Sequence, residues 1–207
     1  TPVSKALARH RLAESRMSGL ELCLARVLGG VYSKVTLRLS GVEFRHPERL
    51  VEAWRGQLEG RSRLIVAFRH PYGDEPQLLS YAFTSLLPRI ARRMGTPLSG
   101  PARARFVHGY EVPLWSDAFV RWLLPHSGAV PVYHVKFDKK SIRRMLEILR
   151  EGPYPLALAP EGQVSYRSES LPRLEKGALR LGFWCAEELG AAGRAERVLV
   201  LPVSIHY

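Results

Sequence analysis

The sequence predicts an α/β domain: a central, largely parallel mixed sheet flanked by helices, with a helical N-terminal extension. Three observations predict it. Apolar runs of strand length recur along the chain. Between them lie segments with helical periodicity, the alternation expected of a covered, mainly parallel sheet. The 207 residues, 46% of them hydrophobic, also suffice for one sizeable core. No repeat, low-complexity tract or interdomain linker divides them, so residues 1–207 read as one domain. Residues 1–60 form its helical N-terminal part and residues 62–207 its core.

The elements follow in order. Residues 5–38 favour helix, with Leu20, Leu22, Leu24, Leu28 and Val31 among small and basic neighbours. The Gly29-Gly30 pair is expected to break or bend it. A short strand is expected at Gly41–Phe44. "HPERLVEAWRGQLEG" reads as a helix with Pro47 in its first turn and Gly60 at its end. A strand at 63–68 and a helix at about 76–93 come next. Strands are expected at Phe106–Gly109 and Ala129–Val135, then a basic helix at 139–150. "YPLALAP" is a short buried strand. A helix from Lys176 to Leu189 leads to the last strand, "RVLVLPVSI". The chain starts without Met and stops within an apolar run, as a piece of a longer chain would.

Charge narrows the partners. Lys and Arg number 31 against 19 Asp and Glu, a net charge of +12. That balance favours anionic surfaces or substrates and says nothing about fold. The basic residues lack the stacked aromatics and Cys/His modules of common nucleic-acid binders, so no nucleic-acid partner is expected. No apolar run approaches the roughly 18 residues of a spanning helix, and no signal peptide is visible. Cys23 and Cys185 form no CxxC and fit a reduced cytosolic setting. No GxSxG elbow, Gx4GK[ST] loop, GxGxxG turn or HExxH is present, and no metal site is expected.

Two places carry chemistry. In "RLIVAFRHPYGDEPQLLSYAF" a buried strand ends at His70-Pro71-Tyr72-Gly73, and a helix follows beyond Pro76. The C-terminal end of a strand is where α/β proteins usually place ligands. An acid nearby can orient the imidazole and make it a general base. Pro76 suits helix position N1, which makes Glu75 the N-cap. Glu caps poorly, so capping alone explains it badly, and Asp74 is the alternative cap. In "LALAPEGQVSYRSESLPRLEKGALRLGF" a strand delivers Glu161 and Gly162 into a loop holding Arg167, Arg173 and Lys176. Its cations and the helix N-terminus near Lys176 could hold a phosphate, whereas read on its own the segment is a solvated loop.

Four ordered blocks resemble the glycerolipid acyltransferase family, whose best-known members are bacterial 1-acylglycerol-3-phosphate acyltransferases. The His-x4-Asp block is matched by His70-Pro-Tyr-Gly-Asp-Glu75. "GAVPVYH" (128–134) matches Gly-Ala-Ile-Pro-Val ending in Arg. "APEGQVS" (159–165) followed by "LEKGA" (174–178) matches Phe-Pro-Glu-Gly-Thr-Arg-Ser and the Phe-Lys-Lys-Gly-Ala run. "LPVSI" (201–205) matches the Val-Pro-Val strand. The resemblance covers residues 62–207. It departs from the pattern where Glu75 replaces Asp, His134 replaces Arg with Lys136 nearby, and Gln163-Val164 replaces Thr-Arg. Arg167 is the nearest substitute for that last Arg.

The resemblance implies an acyltransferase of lipid metabolism at the cytoplasmic face of a membrane with anionic lipid. His70 would be the general base and Glu75 its partner. Glu161 and Gly162 would shape the acceptor pocket, while Arg167 and Lys176 bind an anionic head group. Acyl-CoA or acyl carrier protein would donate the acyl group, with no further cofactor. The changed third block leaves open another amphiphilic acceptor, such as a lyso-aminolipid, pigment or polyketide. The +12 charge leaves open a non-catalytic membrane-binding domain.

Overall fold

The computed structural model describes residues 16–116, 118–133, 138–167 and 169–207. Five strands form its sheet, and all pair in parallel in the order β3-β2-β4-β1-β5. They are β1 (Ser62–Phe68), β2 (Arg105–Gly109), β3 (Val130–Val132), β4 (Leu156–Leu158) and β5 (Arg197–Val203). The α/β expectation holds, but the sheet is wholly parallel among the described residues rather than mixed. The cause is that helical segments separate consecutive strands, and such crossovers return the chain in the same direction.

The helices are α1 (Gly19–Val35), α2 (Pro47–Leu58), α3 (Glu75–Tyr81), α4 (Leu87–Arg93), α5 (Val112–Trp115), α6 (Ala118–His126), α7 (Lys139–Glu151) and α8 (Gly177–Ala191). A π turn, Ala82–Leu86, joins α3 to α4 without a break. On one face of the sheet α2, α3 and α4 pack against Leu64, Val66 and Phe68, with Trp54 fully enclosed. On the other face α7 and α8 pack against Ile65, Val130 and Leu156 through Leu146, Leu149, Leu181 and Leu189. Successive side chains of β1 thus enter opposite cores, so its run is apolar at nearly every position.

Several expectations are corrected. Gly29-Gly30 does not break α1. The absent side chains let Tyr81 approach, and a Cβ on Gly29 would lie 2.6 Å from Tyr81 Cδ2. Gly41–Phe44 is not a strand: it is irregular chain whose Val42 and Phe44 pack on the first core. The strand expected at Ala129–Val135 is confined to Val130–Val132 among the described residues. His134 and Lys136 lie outside the described residues, as does the helix expected over residues 5–15. Helices α5 and α6 were not expected. Pro113 sits in the first turn of α5, where no N–H is needed, and Pro125 in the last turn of α6.

The topology leaves a crevice between β1 and β4. The chain leaving β1 passes into α3 on one face, and the chain leaving β4 passes into α8 on the other. Ligands of open α/β sheets bind at such switch points, outside the C-terminal ends of the strands. His70 follows β1 and Glu161 follows β4.

Candidate active site

Beyond Phe68 the chain turns at His70–Asp74 and enters α3 at Glu75. Gly73 makes this turn possible, with φ of 104°, a backbone angle that a side chain disfavours. Its N–H is thereby aimed at the Glu75 carboxylate. Glu75 is the first residue of α3 and Pro76 the second; Asp74 occupies the N-cap position but its side chain makes no capping bond. Neither acid therefore caps the helix as a side chain, which corrects both capping expectations.

Glu75 is fully buried, and both its oxygens are occupied. Oε2 faces His70 Nδ1 at 2.7 Å and accepts from Gly73 N at 2.9 Å. Oε1 accepts from Tyr72 N at 2.9 Å and from the Tyr207 hydroxyl at 2.9 Å. Burial alone would raise this carboxyl. The bonds from His70, Gly73 and Tyr72 outweigh it and hold the group at about 2, so it is ionised at neutral pH. An ionised carboxylate only accepts, so His70 Nδ1 carries a proton, and it is Nε2 that holds the lone pair whenever the imidazole is neutral. The His70 side chain is 18% exposed and packs edge-on to Phe68. Asp74 is pushed upward by burial and by the Glu75 charge, partly offset by His70.

Glu161 sits beside this pair. Gly162, at φ 74°, turns the chain after it. Glu161 Oε1 accepts from Arg69 Nε at 2.7 Å and from His70 N at 3.3 Å. Its Oε2 is buried with no hydrogen-bond partner. Arg69 also donates to the carbonyls of Arg167 and Ser170. Ser165 N donates to His70 O and Tyr166 N to Pro71 O, which fastens the loop after β4 along the His70 turn. A cleft of about 400 Å³ opens there, lined by Glu161, Gln163, Ser165, Arg167, Pro172, Arg173 and Glu175.

The structure therefore brings His70, Glu75 and Glu161 together and places Arg167 in the adjoining cleft. Lys176 stands apart: it is the exposed N-cap residue of α8 and lies outside the cleft lining, where Arg173 lies instead. Two participants had escaped sequence reasoning. Arg69 sits next to His70 and carries no motif of its own. Tyr207 lies 132 residues from Glu75, and nothing local marks it. Among the described residues no group of three or more His, Cys, Asp or Glu is placed to hold a metal ion. No family model and no curated protein matches the chain.

Tyr207→Phe removes one of the two donors to Glu75 Oε1. A hydrogen bond to a charged group is worth about 1.5–3 kcal/mol when buried. Tyr207 is 51% exposed, so water replaces part of it. Stability at neutral pH is expected to fall by about 1 kcal/mol. Urea unfolding of the two proteins at pH 7 checks this, and equal stability would show that the hydroxyl does not support the pair.

Proposed function

We propose that the protein is an O-acyltransferase. It moves an acyl group from acyl-CoA or acyl carrier protein to a hydroxyl of a lysophospholipid such as 1-acylglycerol-3-phosphate. The observation that carries this reading is the 2.7 Å pair of His70 Nδ1 with a buried, ionised Glu75, at the mouth of the sheet's crevice. His70 Nε2 takes the proton of the acceptor hydroxyl while its oxygen attacks the thioester carbonyl carbon. The C–S bond breaks, the thiolate leaves, and His70 returns the proton to sulfur. The thioester is already activated, so no acyl-enzyme is needed. Glu75 stabilises the imidazolium and fixes its orientation. Glu161 Oε2, which has no protein donor, suits a second polar group of the acceptor. Arg167 and Arg173 in the cleft suit its phosphate. Thiol release from acyl-CoA, followed across a panel of lysophospholipids, tests the reading. Hydrolysis without acceptor dependence, or no thiol release with any acceptor, refutes it.

We place the protein at the cytoplasmic face of a membrane. Among the described residues no helix is long and apolar enough to cross one. The support is α1, whose Leu20, Val27, Leu28, Val31 and Val35 are 51–72% exposed and recur at helical spacing. Exposed Arg26, Lys34 and Arg38 accompany them. Such a helix lies in the interface, with its apolar side among acyl chains and its cations near anionic head groups. Val27→Asp with Val31→Asp is expected to weaken binding to anionic vesicles by at least roughly tenfold, because each buried aliphatic side chain is worth about 1.5–3 kcal/mol. Co-sedimentation measures it. Undiminished binding would move the contact elsewhere.

A further inference from the structure

We propose that Arg69 is a positioning residue: it clamps the cleft wall that carries Arg167 in place beside His70, and so sets the affinity for a phosphate-bearing acceptor. The identity of the ligand rests on the acyl-transfer reading; the geometry of the clamp does not. Arg69 follows β1 directly. Its N–H donates to Val203 O of β5 at 3.0 Å, so its backbone is still fixed by the sheet. Its side chain is 10% exposed and meets Glu161, whose side chain is 1% exposed.

One guanidinium joins three parts of the site. Nε donates to Glu161 Oε1 at 2.7 Å, the oxygen that also accepts from His70 N at 3.3 Å. Nη2 donates to Arg167 O at 2.6 Å and to Ser170 O at 3.1 Å. The end of β1, the chain after β4 and the cleft loop thus share one side chain. The loop needs such a partner. No helix or strand covers residues 163–167 and 169–175, so their carbonyls have no ladder to enter. The loop also passes through a costly angle: Tyr166 has φ of 53°, in the left-handed region that a side chain disfavours. Such a residue persists where its surroundings hold it. Tyr166 N donates to Pro71 O at 2.9 Å, and the next carbonyl beyond Tyr166 that the protein holds is that of Arg167. The two bonds flank the strained residue. They fix the backbone from which Arg167 lines the cleft.

A carboxylate and two carbonyls in different directions call for a planar, many-donor head. Lysine would keep the charge beside Glu161, but its compact ammonium on a flexible stem is no substitute for the rigid fork. Without the clamp, Arg167 leaves the place where it meets phosphate. The 2.7 Å pair of His70 and Glu75 does not involve Arg69 and stays as it is. The effect therefore belongs to acceptor binding rather than to proton transfer.

Arg69→Ala leaves the buried Glu161 carboxylate without its cation, which endangers the fold. Arg69→Lys retains a cation there and is the variant to use. With acyl-CoA as donor and 1-acylglycerol-3-phosphate as acceptor, the acceptor's KM is expected to rise at least roughly tenfold while kcat falls less than about threefold, the pattern of lost uniform binding. With a monoacylglycerol, which lacks the phosphate, variant and wild type should behave alike. Arg167→Gln should raise KM by itself, and Arg69→Lys added to it should change little more, because both act through one contact. An unchanged KM, a rise equally large with monoacylglycerol, a loss carried by kcat, or full additivity with Arg167→Gln overturns the proposal. A wild type without acceptor-dependent thiol release ends the acyl-transfer reading instead. Trypsin under native conditions then decides the clamp: faster cleavage after Arg167 and Arg173 in Arg69→Lys supports it, and unchanged cleavage overturns it.

Discussion

His70→Ala is expected, on the proposed acyl-transfer reading, to lower turnover roughly 10²- to 10⁴-fold, the usual contribution of a general base, while leaving the protein folded. The effect rests on geometry. His70 Nδ1 is committed to Glu75, so only Nε2 can receive the acceptor's proton. The side chain is partly exposed at the end of β1 and is not part of either apolar core. Its removal therefore withdraws the base without opening a large cavity. The measurement is the turnover of acyl-CoA with the best lysophospholipid, alongside thermal unfolding of both proteins. Near wild-type turnover in the variant would end the mechanism.

Glu75→Gln should both slow the reaction and destabilise the fold, and the second effect has a pH signature. The ordinary value of a Glu carboxyl here is 4.5, and in the folded chain this one is held at about 2. Above pH 4.5 the carboxylate is ionised in both states and its full stabilisation is present. As pH falls from 4.5 towards 2 the unfolded chain gains the proton first, and the stabilisation drains away. At 1.36 kcal/mol per pH unit the gap corresponds to on the order of 3 kcal/mol. The amide, moreover, turns an NH₂ towards donors that need an acceptor. Urea unfolding should show the variant less stable at pH 7, with the difference narrowing below pH 4.5. A constant difference across that range would mean that Glu75 is not held ionised. Asp74→Asn should slow turnover far less than Glu75→Gln, since Asp74 lacks the contact with His70; the reverse order would reassign the partner.

The legible parts of this molecule were those written locally. Pro47 and the apolar spacing of "RLVEAW" mark α2, and the unbroken run from Leu64 to Phe68 marks a strand buried on both faces. The spacing of His70 and Glu75 reads as a pair because a strand end and the first turn of a helix must lie together. Where side chains meet across the fold, local pattern fails. Tyr207 reaches Glu75 from the far end of the chain, and Arg69 rather than Lys176 is the cation beside Glu161. Segment 41–44 has strand-like residues but no strand to pair with. It spends its apolar side chains on the core instead.

The glycine pair in α1 has a consequence beyond packing. With Tyr81 seated against Gly29 and Gly30, α1 meets α3 across two residues that have no side chain. Leu20, Val27, Leu28, Val31 and Val35 are left exposed on the same helix. A Cβ on Gly29 would stand 2.6 Å from Tyr81 Cδ2, so Gly29→Ala forces α1 or Tyr81 to give way. The fit of two glycines to one tyrosine thus bears on how the helix presents its outer residues.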